Sequence, residues 1–369
     1  MTRLEGYILT PDGFLNGCIE FAAGRIHSLV GEPAAEAAVR NSTLPIIIPG
    51  FVDLHVHGGG GRDIMDGGDA AAHVARTHAE HGTTAMLATT MTAPYDDLVA
   101  AFSGLASVRE SASRAGAHIL GVHLEGPYIS STRLGAQPDF ARRLQFSELE
   151  SLNVRVPIRL ITMAPEVDGN IEAIATLRAA GYKINLGHSN ATYEQACAAL
   201  DAGAHGFTHL YNAMSGFHHR APGMVGAALA HATNAELIPD MLHVHPGAIR
   251  AALRSVAGLY CVTDSTSAAG MPDGEYRLGR QTVTRCMGGV RLADGTLAGS
   301  VLTMDQAFKN LVEVMQLSLA EASLRTATLA ADYVGAADRG RLTVGCFADV
   351  VVLDRDLNLA AVFTEGQAR

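Results

Sequence analysis

The sequence predicts an α/β fold: a (β/α)8 barrel of the TIM type with a small β-sandwich domain formed from the N- and C-terminal segments. Three observations predict it. From about Ile46 onward, short apolar, β-prone runs alternate with longer alanine-rich helical stretches, the texture of repeated βα units around a parallel sheet. Histidines and carboxylates recur where those runs give way to loop residues, and that end of a barrel is where catalytic groups gather. Both ends of the chain instead show short strands punctuated by tight turns.

The terminal unit opens with Gly6 to Leu9, the turn Pro11-Asp12-Gly13, Cys18 to Phe21, the turn Ala23-Gly24, and Arg25 to Val30. The same style returns at Gly340-Arg341-Leu342 and at Ala348 to Leu353. Residues 1–48 and 335–369 are therefore expected to form the small β-domain, and residues 49–334 the barrel. Eight barrel strands are predicted: Ile47 to His57, Thr83 to Thr89, His118 to Glu125, Ile158 to Met163, Lys183 to His188, Gly206 to His209, Leu237 to His243 and Leu259 to Asp264. Helices are expected at Ala70 to Glu80, Tyr95 to Arg109, Ile171 to Ala180 and Tyr193 to Leu200, with Met304 to Val314 after the last strand. A chain of 369 residues, 48% of them hydrophobic, accommodates one barrel of roughly 250 residues plus an appendage.

Composition narrows the function. A net charge of -10 offers no basic footprint for nucleic acid. Apolar runs such as Ile46 to Ile48 fall far short of the roughly 20 residues of a membrane span, and the N-terminus lacks the basic and apolar regions of a signal peptide. Five scattered cysteines without a CxxC pair speak against a disulfide framework or zinc knuckle and for a reducing cytoplasm. The only lysines are Lys183, at the start of a strand, and Lys309, in a helical pattern. Schiff-base chemistry at a strand's C-terminal end is thereby excluded.

Within Asp53-Leu54-His55-Val56-His57, residues two apart in a strand share a face, so His55 and His57 point into the barrel together. An HxH alone is of moderate specificity, since strand histidines are often structural. Four further groups close later runs just before loop residues: Glu125, His188, His209 and Asp264. Imidazoles and carboxylates hold a divalent ion while leaving a position open for water, and Glu125 could bridge two ions, with His55, His57 and Asp264 on one and His188 and His209 on the other. The bland alternative needs six costly burials of polar groups to coincide at strand ends. His73, His78 and His81 fall on a helical pattern and are expected on its exterior. His218, His219 and Arg220 read by themselves as solvated surface, and His245 should share the face of His243.

These residues carry a resemblance. Pro49 to Gly58, His123-Leu124-Glu125-Gly126-Pro127, Gly187-His188-Ser189, Thr208 to Met214, Val262-Thr263-Asp264 and Met271 to Tyr276 together resemble the N-acetylglucosamine-6-phosphate deacetylases of the amidohydrolase superfamily, over nearly the full length. The resemblance implies an ion on Glu125, His188 and His209, with His55 and His57 available for a second, so one or two divalent ions per subunit. Zinc is expected first, with iron, manganese or cobalt as alternatives. It implies Asp264 as general base and then acid, and a substrate phosphate met by His243, by backbone near Asn212 and Ala213, and by Arg220 from the other subunit of a homodimer. One position departs: family members commonly carry a histidine where this chain has Gln137, whose amide donates a hydrogen bond but cannot become cationic. The substrate expected is a phosphorylated N-acetyl amino sugar. Rival readings are an amidohydrolase for another N-acyl sugar, such as N-acetylgalactosamine 6-phosphate, and a non-catalytic scaffold that kept the barrel.

Overall fold

The computed structural model describes residues 1–110 and 116–369. Eight strands lie parallel in chain order: β1 (Phe51–Val56), β2 (Thr83–Thr90), β3 (His118–Glu125), β4 (Ile158–Met163), β5 (Lys183–Leu186), β6 (Gly206–Phe207), β7 (Asn234–Leu237) and β8 (Gly258–Cys261). Beyond its last paired residue, the β8 segment meets β1: Asp264 N donates to His55 O at 2.9 Å and His57 N to Ser265 O at 2.9 Å. The barrel therefore closes through the residues that the sequence marks for chemistry. Every residue of β2 is buried, as expected of a parallel strand with both faces covered.

Helices Ala70–Glu80, Tyr95–Glu110, Asn170–Ala179, Tyr193–Ala202 and Met304–Glu313 fall within two residues of their predicted spans. In the last, Met304, Ala307, Phe308, Leu311 and Val312 are buried, the i, i+3, i+4, i+7, i+8 stripe of an amphipathic helix. Tyr193–Ala202 starts from a capping box in which Thr192 Oγ1 accepts from Gln195 N and Gln195 Oε1 accepts from Thr192 N, satisfying two otherwise orphaned donors. A seven-stranded sheet gathers both chain ends, in the spatial order Gln367–Ala368, Leu359–Thr364, Val350–Leu353, Ile46–Pro49, Thr2–Thr10, Gly13–Ala22, Arg25–Ala34. Ile8, Ile19, Phe21, Ile47 and Val350 form its own small core.

Four expectations are corrected. The run Ile47 to His57 is two strands: Ile46–Pro49 joins the terminal sheet, and β1 begins after Gly50. A Cβ at Gly50 would lie 2.3 Å from Thr84 Cγ2, so glycine lets the chain cross between the two sheets. The strand predicted at Leu237 to His243 lies earlier, at Asn234–Leu237. Pro239 has no N–H for a ladder, and the Asp240 carboxylate captures the backbone N–H of Leu242 (2.9 Å) and His243 (2.8 Å), turning the chain into a loop. His245 consequently shares no strand face with His243; it caps the helix Pro246–Ser255, its Nδ1 accepting from Gly247 N at 3.0 Å. His78 is buried rather than exterior, on the inward face of its helix, with Nε2 3.0 Å from Gly58 O and 3.1 Å from Ser265 Oγ. Burial lowers its pKa to about 4, so it is neutral and braces the turn that follows His57. An unpredicted three-stranded antiparallel sheet (Gly274–Leu278, Gln281–Cys286, Gly289–Arg291) stands between β8 and the Met304–Glu313 helix.

Candidate metal centre and active site

The β1 alternation carries His55 and His57 inward together, and their Nε2 atoms lie 3.1 Å apart. Glu125, the last residue of β3, reaches the same point. Its Oε1 lies 3.1 Å from His188 Nε2, 3.1 Å from His209 Nε2 and 3.4 Å from His55 Nε2, and its Oε2 lies 3.1 Å from His57 Nε2. Asp264 Oδ1 completes the group, 3.3 Å from His57 Nε2 and 3.5 Å from His55 Nε2. His188, His209 and Asp264 lie just past the ends of β5, β6 and β8 with φ of 47°, 29° and 50°. Non-glycine residues avoid this left-handed region, and such outliers gather where function over-determines the backbone.

The donor set fits a cation. His188 Nδ1 donates to Arg133 O at 3.0 Å, which leaves Nε2 as the ring atom facing Glu125 Oε1, the orientation of a metal-ligating imidazole whose other nitrogen is held by a carbonyl. Bonds of about 2.05 Å from nitrogen or oxygen to a tetrahedral ion place neighbouring ligand atoms about 3.3 Å apart, close to the spacings found here. The residues fall into two overlapping clusters, His55 with His57 and Glu125, and Glu125 with His188 and His209. Burial alone would raise the Glu125 carboxyl, but the imidazoles of His55 and His188 outweigh it and hold it well below the usual carboxylate range. Asp264 behaves alike: burial raises it, yet His55 and His57 bring it to about 2. Burial disfavours the His57 cation, but hydrogen bonds to Asp264 and Glu125 raise its pKa to about 9. The two carboxylates demand positive charge.

A cavity of about 380 Å3 opens above this cluster, lined among others by Gln137, Asn212, Ala213, His243 and Arg133. A model of the amidohydrolase family matches residues 46–369. The N-acetylglucosamine-6-phosphate deacetylase of Lysinibacillus sphaericus is 39% identical over 330 residues, 88% of this chain and 85% of that protein. The chain belongs to the amidohydrolase family, among the N-acetylglucosamine-6-phosphate deacetylases. It is also 38% identical to the N-acetylgalactosamine-6-phosphate deacetylase of Escherichia coli O157:H7, over 98% of this chain and 97% of that one. A mutant of the N-acetyl-D-glucosamine-6-phosphate deacetylase of Mycobacterium smegmatis, solved with N-acetyl-D-glucosamine-6-phosphate, superposes with a TM-score of 0.89 at 35% identity, covering 99% of this chain and 98% of that one.

Within this amidohydrolase, Gln137 is engaged at both ends of its amide: Oε1 accepts from Thr92 N at 2.7 Å and Nε2 donates to Glu125 Oε2. Its first effect is to hold the central carboxylate. His243 Nδ1 lies 2.6 Å from Asp240 Oδ2; burial works against its cation, but the Asp240 hydrogen bond prevails and raises its pKa. Arg220 does not reach its own chain's cavity. It is exposed, with Nη1 2.8 Å from His219 Nε2.

Four residues around the cluster escaped the sequence reading. Asp53, fully buried, accepts from Thr263 Oγ1 (2.6 Å), Thr263 N (3.2 Å) and His55 N (3.2 Å), tying β1 to the segment that carries Asp264. Burial raises its pKa to about 7. His123 sits behind His55, with Nδ1 3.1 Å from Leu54 O and Nε2 2.7 Å from Thr162 Oγ1; burial lowers its pKa to about 3, so it is a neutral spacer. Glu236 of β7 is fully buried against His55 Nδ1 at 2.9 Å. Arg133 rims the cavity while its carbonyl orients His188. The strand alternation around Asp53 and His123 was a usable signal, whereas nothing in the sequence distinguished Arg133.

Proposed function

We propose that this chain hydrolyses the acetamide of N-acetyl-D-glucosamine 6-phosphate to glucosamine 6-phosphate and acetate, at a centre of one or two divalent ions, zinc first. The observation that carries the reading is the convergence of four imidazole Nε2 atoms on Glu125 in a chain whose relatives deacetylate such sugar phosphates. When bound, a divalent ion polarises a carbonyl and makes water acidic enough to ionise near neutral pH. Glu125, His188 and His209 hold one ion in this reading, and His55 and His57 serve a second.

Asp264, kept ionised by its imidazole neighbours, takes a proton from the attacking water and returns it to the amine nitrogen as the C–N bond breaks. Gln137 has a second amide N–H to offer the acyl oxygen. The phosphate is held by His243, whose cation Asp240 favours, by backbone at Asn212 and Ala213, and by Arg220 from the partner subunit of a homodimer, whose exposed position on this chain suits that role. Five free cysteines support a cytoplasmic setting, and no helix among the described residues is long and apolar enough to cross a membrane.

Acetate release from N-acetylglucosamine 6-phosphate, N-acetylgalactosamine 6-phosphate and plain N-acetylglucosamine tests the reading. The first should show the highest kcat/KM, exceeding the plain sugar by more than the roughly one to two decades expected of a single charge-assisted phosphate contact. Equal rates with and without phosphate would contradict the sugar-phosphate assignment, and preference for the galacto sugar would correct the epimer.

A further inference from the structure

Glu236 is a carboxylic side chain in the barrel core, 0% exposed, behind the cavity rather than in its lining. All its hydrogen-bond partners among the described residues are donors. His55 Nδ1 (2.9 Å) and His209 N (3.2 Å) approach Oε2, while Asn185 Nδ2 (3.2 Å) and the Tyr260 hydroxyl (3.3 Å) approach Oε1. The orientation of Asn185 is not free, because its Oδ1 accepts from the Tyr333 hydroxyl, which leaves Nδ2 for Glu236. Both oxygens of residue 236 must therefore accept, a demand met by a carboxylate and not by an amide. The sole ion-pair partner of Glu236 among the described residues is His55.

We propose that Glu236 is the positioning residue for a second ion: it fixes the His55 tautomer and ring orientation and anchors the backbone of His209 beside it. The proposal rests on reading the cluster as a metal centre. With Nδ1 donating to Glu236, a neutral His55 turns its Nε2 lone pair toward Glu125 and His57, as a ligand must; carboxylates behind metal-bound histidines act in this way. The same carboxylate also receives the backbone N–H of His209, whose φ of 29° needs a fixed anchor. Glu236 thus links a ligand of each half of the centre.

The test is metal content per subunit and chelator competition on purified Glu236→Gln, with Tyr260→Phe as a control that removes one donor from the same carboxylate without touching His55. Melting temperatures with and without added metal are measured alongside. The wild-type protein should hold two ions and Tyr260→Phe should keep both. Glu236→Gln should retain one ion and bind the second about 10- to 100-fold more weakly, and the metal-induced rise in Tm should shrink. If Glu236→Gln does not fold, Glu236→Asp should fill both sites only at raised metal concentration. Unchanged affinity at both sites, with Tm lowered equally in the apo and metal-loaded forms, would reduce Glu236 to framework, and a wild-type protein with a single ion indifferent to residue 236 would overturn the proposal. Loss of one ion in Glu236→Gln from a protein that releases no acetate from these sugars would sink the substrate reading and leave this inference standing.

Discussion

The floor of the cavity and its rim are built by opposite means. Floor residues sit on or just past barrel strands, are almost wholly buried, and are braced from behind: His55 by Glu236, His188 by the Arg133 carbonyl, Glu125 by Gln137. Rim residues are carried by loops and are held by one or two contacts, as His243 is by Asp240; Arg220, held only by His219 on an exposed loop, would join the rim from a partner subunit in the proposed dimer. Chemistry needs groups fixed to a fraction of an ångström, whereas a charged phosphate tolerates adjustable partners. Changes in the floor should therefore abolish the reaction, and changes in the rim should retune it.

The largest effect is expected from Glu125→Ala, which removes the ligand shared by both clusters. Metal content and acetate release should fall together to background, measured by elemental analysis and a coupled acetate assay. Full metal content in that variant would break the distinction between floor and rim. Asp264→Asn comes next. Most metal and substrate binding should remain while kcat drops by about three orders of magnitude or more, because an amide cannot accept the proton from water; near-normal turnover would remove Asp264 from the chemistry.

On the rim, Arg220→Ala should chiefly raise KM for the phosphorylated sugar, costing about 1.5 to 3 kcal/mol, or one to two decades of kcat/KM. Turnover of plain sugar should be untouched. A fall in kcat with constant KM would place Arg220 among the floor residues instead. The smallest effect concerns pH. Burial works against the His243 cation, but the Asp240 hydrogen bond raises its pKa above the ordinary value near 6.5, so in the proposed phosphate site the imidazolium persists to higher pH than a free histidine would. It is lost only as pH rises through that raised value. KM for the phosphorylated sugar should climb a few-fold as pH rises through that raised pKa, and Asp240→Asn should move the climb to lower pH. An unshifted profile in that variant would show that His243 does not govern phosphate binding.

Legibility in the sequence followed the same division. The period of two in a strand placed His55 and His57 on one face, and loop signals after Glu125, His188, His209 and Asp264 marked the strand ends, so the floor could be assembled from spacing alone. Glu236 was missed because its strand was predicted to begin at Leu237, where the run turns apolar; the earlier half, Asn234-Ala235-Glu236, reads as polar loop until the barrel buries it. Gly50 hid a change of sheet within one continuous apolar run. The sheet formed by residues 274–291 and the buried face of His78 depend on contacts distant in sequence, such as Ser265 against His78, which no local pattern encodes. Arg220 lies exposed and apart from its own chain's cavity, and the proposed role for it in a partner's site comes only through the family resemblance.

The most direct test of a metal-dependent floor is elemental analysis of the purified protein paired with acetate release before and after chelation. The account predicts at least one equivalent of a divalent transition metal per subunit, loss of activity when it is stripped, and recovery when zinc or a similar ion is restored. Full deacetylase activity in protein holding well under one equivalent of metal would contradict it.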